Sequence, residues 1–184
     1  MFDEIQCGLG RTGYLFAYEY YGVTPDILTV AKPLGGGLPI GAILMTEKVA
    51  KAIEAGDHGG TFGGNPFVCN VAKAVFDKIK DPKLLESVRS NGEYLMGKLR
   101  VIKGKYPNFI KDVRGRGLMI AIEINGKAGE AIDKGYGRGI IVGSAGENIV
   151  RLLPPLIVKR EDVDKLLTEL EAIFAEMSRA GGKP

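Results

Sequence analysis

Two short apolar segments, each ending in a charged side chain, constrain this chain more than any other feature. Phe2 leads into Asp3, and Asp26-Ile27-Leu28-Thr29-Val30-Ala31 leads into Lys32. Both read as strand ends, and the two charged residues stand 29 positions apart. One strand–crossover–strand unit has about this length, roughly 30 residues. The strands are therefore expected to run parallel, with both side chains leaving the sheet at its carboxyl edge. Open α/β sheets take their ligands at that edge. A carboxylate beside a lysine there makes either an ion pair or part of a reactive site, and spacing alone leaves both open.

Around these segments glycine is dense. The chain holds 27 glycines, about twice the usual share of roughly 7%, and many precede Gly64. Such density suits backbone that closely approaches a ligand or another chain. Residues 14–21 read as a short helix or turn closed by Gly22, 40–45 as a further strand, and 47–55 as a helix. Pro33-Leu34-Gly35-Gly36-Gly37-Leu38-Pro39 reads as an irregular loop. Asn65-Pro66 signals a helix start, a capping side chain followed by proline at the first helical position. Phe67, Val68, Val71, Ala72, Val75, Phe76 and Ile79 give that helix a broad apolar stripe.

Beyond residue 80 the pattern changes. Asp81-Pro82 caps a helix with Leu84, Val88, Leu95, Leu99 and Ile102 on one face and Gly104 as its stop. Leu118, Ile120, Ile122 and Ile124 alternate with Met119, Ala121 and Glu123, as in a half-exposed strand. A short helix over 128–134, strands over 140–142 and 149–153, and a last helix over 161–177 follow. That last helix is expected to bury Val163, Leu166, Leu167, Leu170, Ile173, Phe174 and Met177. The expectation is a slice of a parallel α/β domain over 1–80 and a compact α+β domain over 81–184. The tail 181–184 is expected to fray.

Composition excludes several classes. With 45% apolar and 26% charged residues the chain can bury a core, which argues against disorder. A net charge of +3 without a basic run gives no footprint for nucleic acid. No apolar run approaches the length of a membrane span, and no signal peptide is visible. Cys7, Cys69 and His58 are too few for a structural zinc site or a disulfide framework. The expectation is a metal-free, cytoplasmic protein.

Gly8-Leu9-Gly10-Arg11-Thr12-Gly13 fits G-x-G-x-x-G, but no acidic residue closes the next strand, where Lys32 stands instead, so a dinucleotide site is rejected. Pyridoxal phosphate (PLP) offers the Asp3 and Lys32 pair a use. It needs a lysine for an imine and an anion at its pyridine nitrogen. His58-Gly59-Gly60-Thr61-Phe62-Gly63-Gly64-Asn65 leads into a helix start, where glycine amides and a threonine hydroxyl suit phosphate. His58 alone carries no catalytic signature. Arg151, in the apolar run Val150-Arg151-Leu152-Leu153-Pro154-Pro155, requires a glutamate or a bound carboxylate if it is buried. A surface position is the other reading.

These segments resemble the class III aminotransferases, of PLP fold type I. Phe2-Asp3-Glu4-Ile5-Gln6 with Gly10-Arg11-Thr12-Gly13 is similar to that family's Asp-Glu-x-Gln and Gly-Arg-Thr-Gly. Residues 30–42 resemble its lysine loop, residues 58–66 its Gly-Thr-Phe-Gly-Gly-Asn-Pro segment, and the similarity continues through Pro155. Within the class, residues 15–26 look most like the members that act on N-acetylornithine. The resemblance implies the C-terminal part of a large PLP-binding domain with a parallel or mixed sheet, followed by a small α+β domain. It implies Lys32 as the Schiff-base lysine and proton shuttle, Asp3 at the pyridinium nitrogen, Gln6 near the phenolic oxygen and Ile5 beneath the ring.

Thr61 would reach the phosphate held by the other subunit of a homodimer with shared sites. Gly60, where the family often has serine, and Arg151 would face the substrate. The implied reaction passes an amino group from N-acetylornithine to 2-oxoglutarate, as in arginine biosynthesis. Ornithine or 4-aminobutyrate as donor, or a non-catalytic fragment, are the other readings. The family's N-terminal half, with its phosphate loop, ring-stacking aromatic and α-carboxylate arginine, has no counterpart in these residues.

Overall fold

The computed structural model describes residues 1–180, and the expected fraying of 181–184 lies outside the described residues. The chain divides into two compact units, Met1–Leu85 and a second beginning at Glu86. The division falls a few residues past the expected boundary at 80.

The first unit contains β1 (Phe2–Asp3), α1 (Ala17–Tyr21), β2 (Ile27–Val30), β3 (Ala42–Met45), α2 (Glu47–Ala50) and α3 (Pro66–Ile79). Its strands form one sheet in the order β1-β2-β3. β1 runs parallel to β2, with Asp3 opposite Thr29, so the parallel pair expected from the spacing is formed. β3 returns antiparallel, with Val30 opposite Ala42, which makes the sheet mixed. Leu28 and Val30 are buried from β2. Gly22 adopts φ 65° and closes α1, a left-handed cap that glycine accepts without strain.

Two helices differ from expectation. α2 stops at Ala50 rather than 55, because every residue from 51 to 67 is exposed. A short helix without a packed face cannot offset its nucleation cost. α3 begins as expected, with Val68 N–H donating to Asn65 Oδ1 at 3.2 Å. Its stripe is buried less than its pattern suggests. Ala72 and Ile79 are buried, Val68, Val71, Val75 and Phe76 are half-buried, and Phe67 is exposed. Asn65→Ala should lower the stability of this unit by about 1 kcal/mol, the ordinary value of an N-cap. Chemical denaturation would check it, and an unchanged midpoint would show that the cap does not limit α3.

The second unit contains α4 (Pro82–Lys105), which begins just before the division, then β4 (Ile110–Arg116) and β5 (Met119–Ile124). α5 (Ala128–Gly137), β6 (Gly143–Ser144), β7 (Ile149–Leu152) and α6 (Arg160–Ala180) complete it. The four strands form an antiparallel sheet in the order β4-β5-β7-β6. Ile120, Ile122 and Ile124 alternate inward from β5, as the sequence pattern predicts. With Val150 and Leu152 they join Leu95, Leu99 and Ile102 of α4, and Val163, Leu167, Leu170, Ile173, Phe174 and Met177 of α6, in one core.

Two strands differ from expectation. The sequence pattern gives no sign of β4, because Ile-Lys-Asp-Val-Arg-Gly-Arg carries only two apolar residues; it is an edge strand that buries Ile110 and Val113. The strand expected at 140–142 pairs three residues later, with Gly143 opposite Arg151. Ile140 and Val142 are buried as the pattern suggested, but by side-chain packing rather than by a ladder. Among the described residues no helix is long and apolar enough to cross a membrane.

Candidate functional site at the carboxyl edge of the first sheet

The parallel register puts the ends of β1 and β2 side by side, and the ladder continues one step, with Glu4 N–H donating to Thr29 O at 2.9 Å. Asp3 lies at this edge. Its Oδ1 accepts from Ile5 N–H at 2.9 Å and from the Thr29 hydroxyl at 3.4 Å. The carboxylate is therefore oriented by its own turn and by the neighbouring strand. Lys32 follows β2 by two residues and is exposed. Among the described residues no ion pair joins it to Asp3. The simple ion-pair reading of the two charges is thus disfavoured: the carboxylate is engaged elsewhere while the amine reaches solvent.

A chain of turns holds the lysine. Leu34 N–H donates to Ala31 O at 2.6 Å, Gly36 N–H to Pro33 O at 3.1 Å, and Leu38 N–H to Gly35 O at 3.1 Å. Leu34 is buried and anchors the loop. Ile5 and Gln6 are half-buried in the turn after β1.

The sequence does not single out Glu4, since two adjacent acids give no sign of which turns inward. Glu4 is only 3% exposed. Its Oε2 accepts from Ala17 N–H at 2.6 Å and its Oε1 from Tyr18 N–H at 2.8 Å, capping α1 from thirteen residues away. Charge-assisted bonds of this kind hold the intervening glycine-rich segment down. A side chain at Gly8 would stand 2.8 Å from Glu4 O and 2.9 Å from Glu4 Oε2, so only glycine fits. Residues 8–13 form turns, with Gly13 N–H donating to Gly10 O at 3.0 Å. They do not open a helix, as a dinucleotide fingerprint must. Burial, and then the nearby Glu4 charge, push the Cys7 thiol up, while burial pulls the Arg11 guanidinium down.

Gly60 and Thr61 belong to the same unit but lie in an exposed turn, in which Gly63 N–H donates to Gly60 O at 3.1 Å. His58 is exposed beside them. This turn leads directly into the Asn65 cap of α3. Arg151 belongs to the second unit. It alternates with the buried Val150 and Leu152 on β7, so it faces away from the core and is half-buried. Its neighbours across the strands are Ala121 and Gly143, small residues that leave its guanidinium room. It lines a cleft of about 550 Å³ with Gly143, Pro154, Pro155, Asp162 and Lys165. Asp3, Ile5, Gln6 and Lys32 are thus gathered at one sheet edge, whereas Gly60, Thr61 and Arg151 stand on separate elements.

The family described as "Aminotransferase class-III" matches residues 1–174. Acetylornithine aminotransferase of Methanocaldococcus jannaschii is 47% identical over 183 residues, covering 97% of this chain and 45% of that protein. The enzyme of the same name from Clostridium acetobutylicum is 48% identical over 168 residues, covering 91% of this chain and 43% of its own length. Among solved structures, N-acetylornithine aminotransferase from Stenotrophomonas maltophilia aligns with TM-score 0.84 at 36% identity, over 97% of this chain and 47% of that one. Ornithine aminotransferase from Toxoplasma gondii aligns with TM-score 0.90 at 34% identity, over 97% and 43%. The chain therefore spans less than half the length of these relatives. With the oriented carboxylate and the exposed lysine at one parallel edge, and with a family match running through both units, this chain belongs to the class III aminotransferases.

Proposed function

We propose that this chain carries PLP on Lys32 and contributes to transamination of N-acetylornithine with 2-oxoglutarate. The observation that carries the reading is the Asp3 carboxylate, fixed by Ile5 N–H and the Thr29 hydroxyl at the same edge as an exposed lysine. These residues fit the group, because its pyridine nitrogen needs a fixed anion and its aldehyde needs an accessible amine. When bound, PLP supplies an electron sink for the carbon that loses a proton.

The remaining work falls to the chain. Asp3 would keep a positive charge on the ring nitrogen by opposing it with a carboxylate oriented by Ile5 N–H and the Thr29 hydroxyl. Lys32 Nζ would hold the cofactor and would serve as the acid and base that moves the proton. Ile5 would support the ring, and the Gln6 amide would donate to its phenolic oxygen. Thr61 offers a hydroxyl to a phosphate, and its exposure suits a phosphate held by a second subunit. Gly60 leaves open space beside the substrate. Arg151 holds a substrate carboxylate with its planar fork. The second unit, with its antiparallel sheet and three helices, corresponds to the small α+β domain of the family.

N-acetylornithine is preferred as donor because curated relatives named for it match at 47% and 48% identity, while the solved structures named for N-acetylornithine and for ornithine stand close together at 36% and 34%. A homodimer with shared sites is supported by Ile43, Leu44 and Met45 on the edge strand β3, and by Phe62, all exposed. Bare apolar edge strands are rare on the surfaces of folded proteins. The test is to add PLP, reduce with borohydride, locate the pyridoxyl group by peptide mass, and then assay three donors. One labelled site and the highest kcat/KM with N-acetylornithine are expected. A wild-type chain that traps no cofactor would make it a non-catalytic piece, and a faster rate with ornithine or 4-aminobutyrate would reassign the substrate.

A further inference from the structure

The turn after Lys32 is packed more closely than a flexible glycine loop requires. A side chain on Gly35 would overlap the Leu38 carbonyl oxygen and stand 2.8 Å from Ile40 Cγ2. Gly36 has φ +58°, and a Cβ there would stand 2.9 Å from Val75 Cγ2. Real Cβ atoms essentially never come that close, so the loop rests on α3 through a gap that only glycine leaves. By contrast, Gly37 has nothing within 4 Å. Val75 sits in the middle of α3, and the start of α3 is set by the Asn65 cap and by the turn containing Gly60 and Thr61. One contact therefore ties the lysine turn to the helix that carries the other glycine-rich segment.

We propose that Gly36 is a positioning residue for Lys32: its missing side chain lets Val75 of α3 seat the lysine turn, and this contact sets how readily Lys32 Nζ takes an aldehyde. The proposal rests on Lys32 being the PLP lysine. Gly36 has no side chain with which to reach a cofactor or a substrate. It acts through four residues of chain, held by the bonds from Leu34 N–H to Ala31 O and from Gly36 N–H to Pro33 O. A methyl group at 36 must move the turn, α3, or both. Displacements of about 1 Å at a reacting group lower rates by up to roughly 100-fold.

The experiment compares the wild type, Gly36→Ala, Val75→Ala and the double variant in the full 184-residue chain. The first readout is the fraction of Lys32 trapped by PLP and borohydride, measured by peptide mass. The second is the rate of Lys32 acetylation without PLP, relative to other lysines. Gly36→Ala is expected to lower trapping by about tenfold, the size of coupling found between side chains in contact, and to leave acetylation of the exposed Lys32 amine unchanged, because that reaction needs only access from solvent. Val75→Ala on the Gly36→Ala background is expected to recover most of that loss. The positive-φ strain of an alanine at 36 is common to the single and double variants, so the recovery measures the contact alone. Thermal midpoints separate a positioning role from a merely structural one, since a structural role moves the midpoint without selectively moving Lys32. Trapping in Gly36→Ala equal to wild type, or a loss that Val75→Ala does not reverse, overturns the proposal. If the wild type itself traps nothing, the PLP reading fails and takes this inference with it.

Discussion

Lys32→Ala is expected to remove the borohydride-stable pyridoxyl group completely, and to lower any transamination by roughly 100- to 10,000-fold through lost proton transfer alone. The effect is large because a single amine is asked to do two things, to bond the cofactor and to move a proton. The other lysines of the first unit lie on or just after α2 and α3, or at the start of α4, rather than after β2. Lys51 is paired with Glu47 at 3.7 Å on α2, and Lys73 and Lys80 with Asp77 at 3.7 Å and 2.7 Å on α3. None of these lies at the end of a strand beside a fixed carboxylate. Random surface lysines react slowly and at many places, so the informative measurement is the labelled peptide rather than total incorporation. Equal labelling of the variant at the same stoichiometry would mean that the wild-type adduct was never on Lys32.

Gly92→Ala is expected to destabilise the second unit by about 3 kcal/mol or more, at the upper end of overpacking effects. In a unit of this size that corresponds to a fall of roughly 12–24 °C in Tm. The residue lies inside α4, where alanine would ordinarily add up to about 1 kcal/mol of helix stability. Here the added Cβ would lie on the Gly117 carbonyl oxygen, 2.6 Å from its carbon and 2.7 Å from its Cα. Those are backbone atoms of the turn between β4 and β5, which cannot rotate away. The neighbours are equally constrained: Leu95 is fully buried, and Asn91 Nδ2 donates to Val158 O at 2.9 Å. Gly97 is the control, an exposed glycine of the same helix with nothing within 4 Å. Its change to alanine should leave stability equal or slightly raised. Similar melting curves for the two variants would refute the close approach at Gly92.

Much of the second unit was legible because its core residues recur with a clear period. The stripe from Val163 to Met177 and the alternation Ile120, Ile122, Ile124 state a helix and a strand without ambiguity. β4 was not legible, because an edge strand with one face to solvent needs few apolar residues, and Ile110 and Val113 are too few to make a pattern. The α3 stripe misled in the opposite direction. Phe67 and its neighbours look like core, yet stay exposed or half-exposed in this chain, since periodicity reports which face is apolar and not what covers it.

For the candidate site, the spacing of Asp3 and Lys32 and their place after apolar strands were enough to predict a shared parallel edge. Residue type and order determine this, because a crossover of that length leaves a parallel pair few other arrangements. Tertiary structure decided the rest. Only the folded chain distinguishes the outward Asp3, oriented by Ile5 and Thr29, from the inward Glu4 that caps α1. Only it separates glycines that meet nothing, such as Gly37, from those pressed against distant backbone or side chains, such as Gly92 and Gly36. The physical reason is the same in both cases. A sequence records what each residue can do locally, while burial, hydrogen-bond partners and close approach depend on atoms that are far away along the chain.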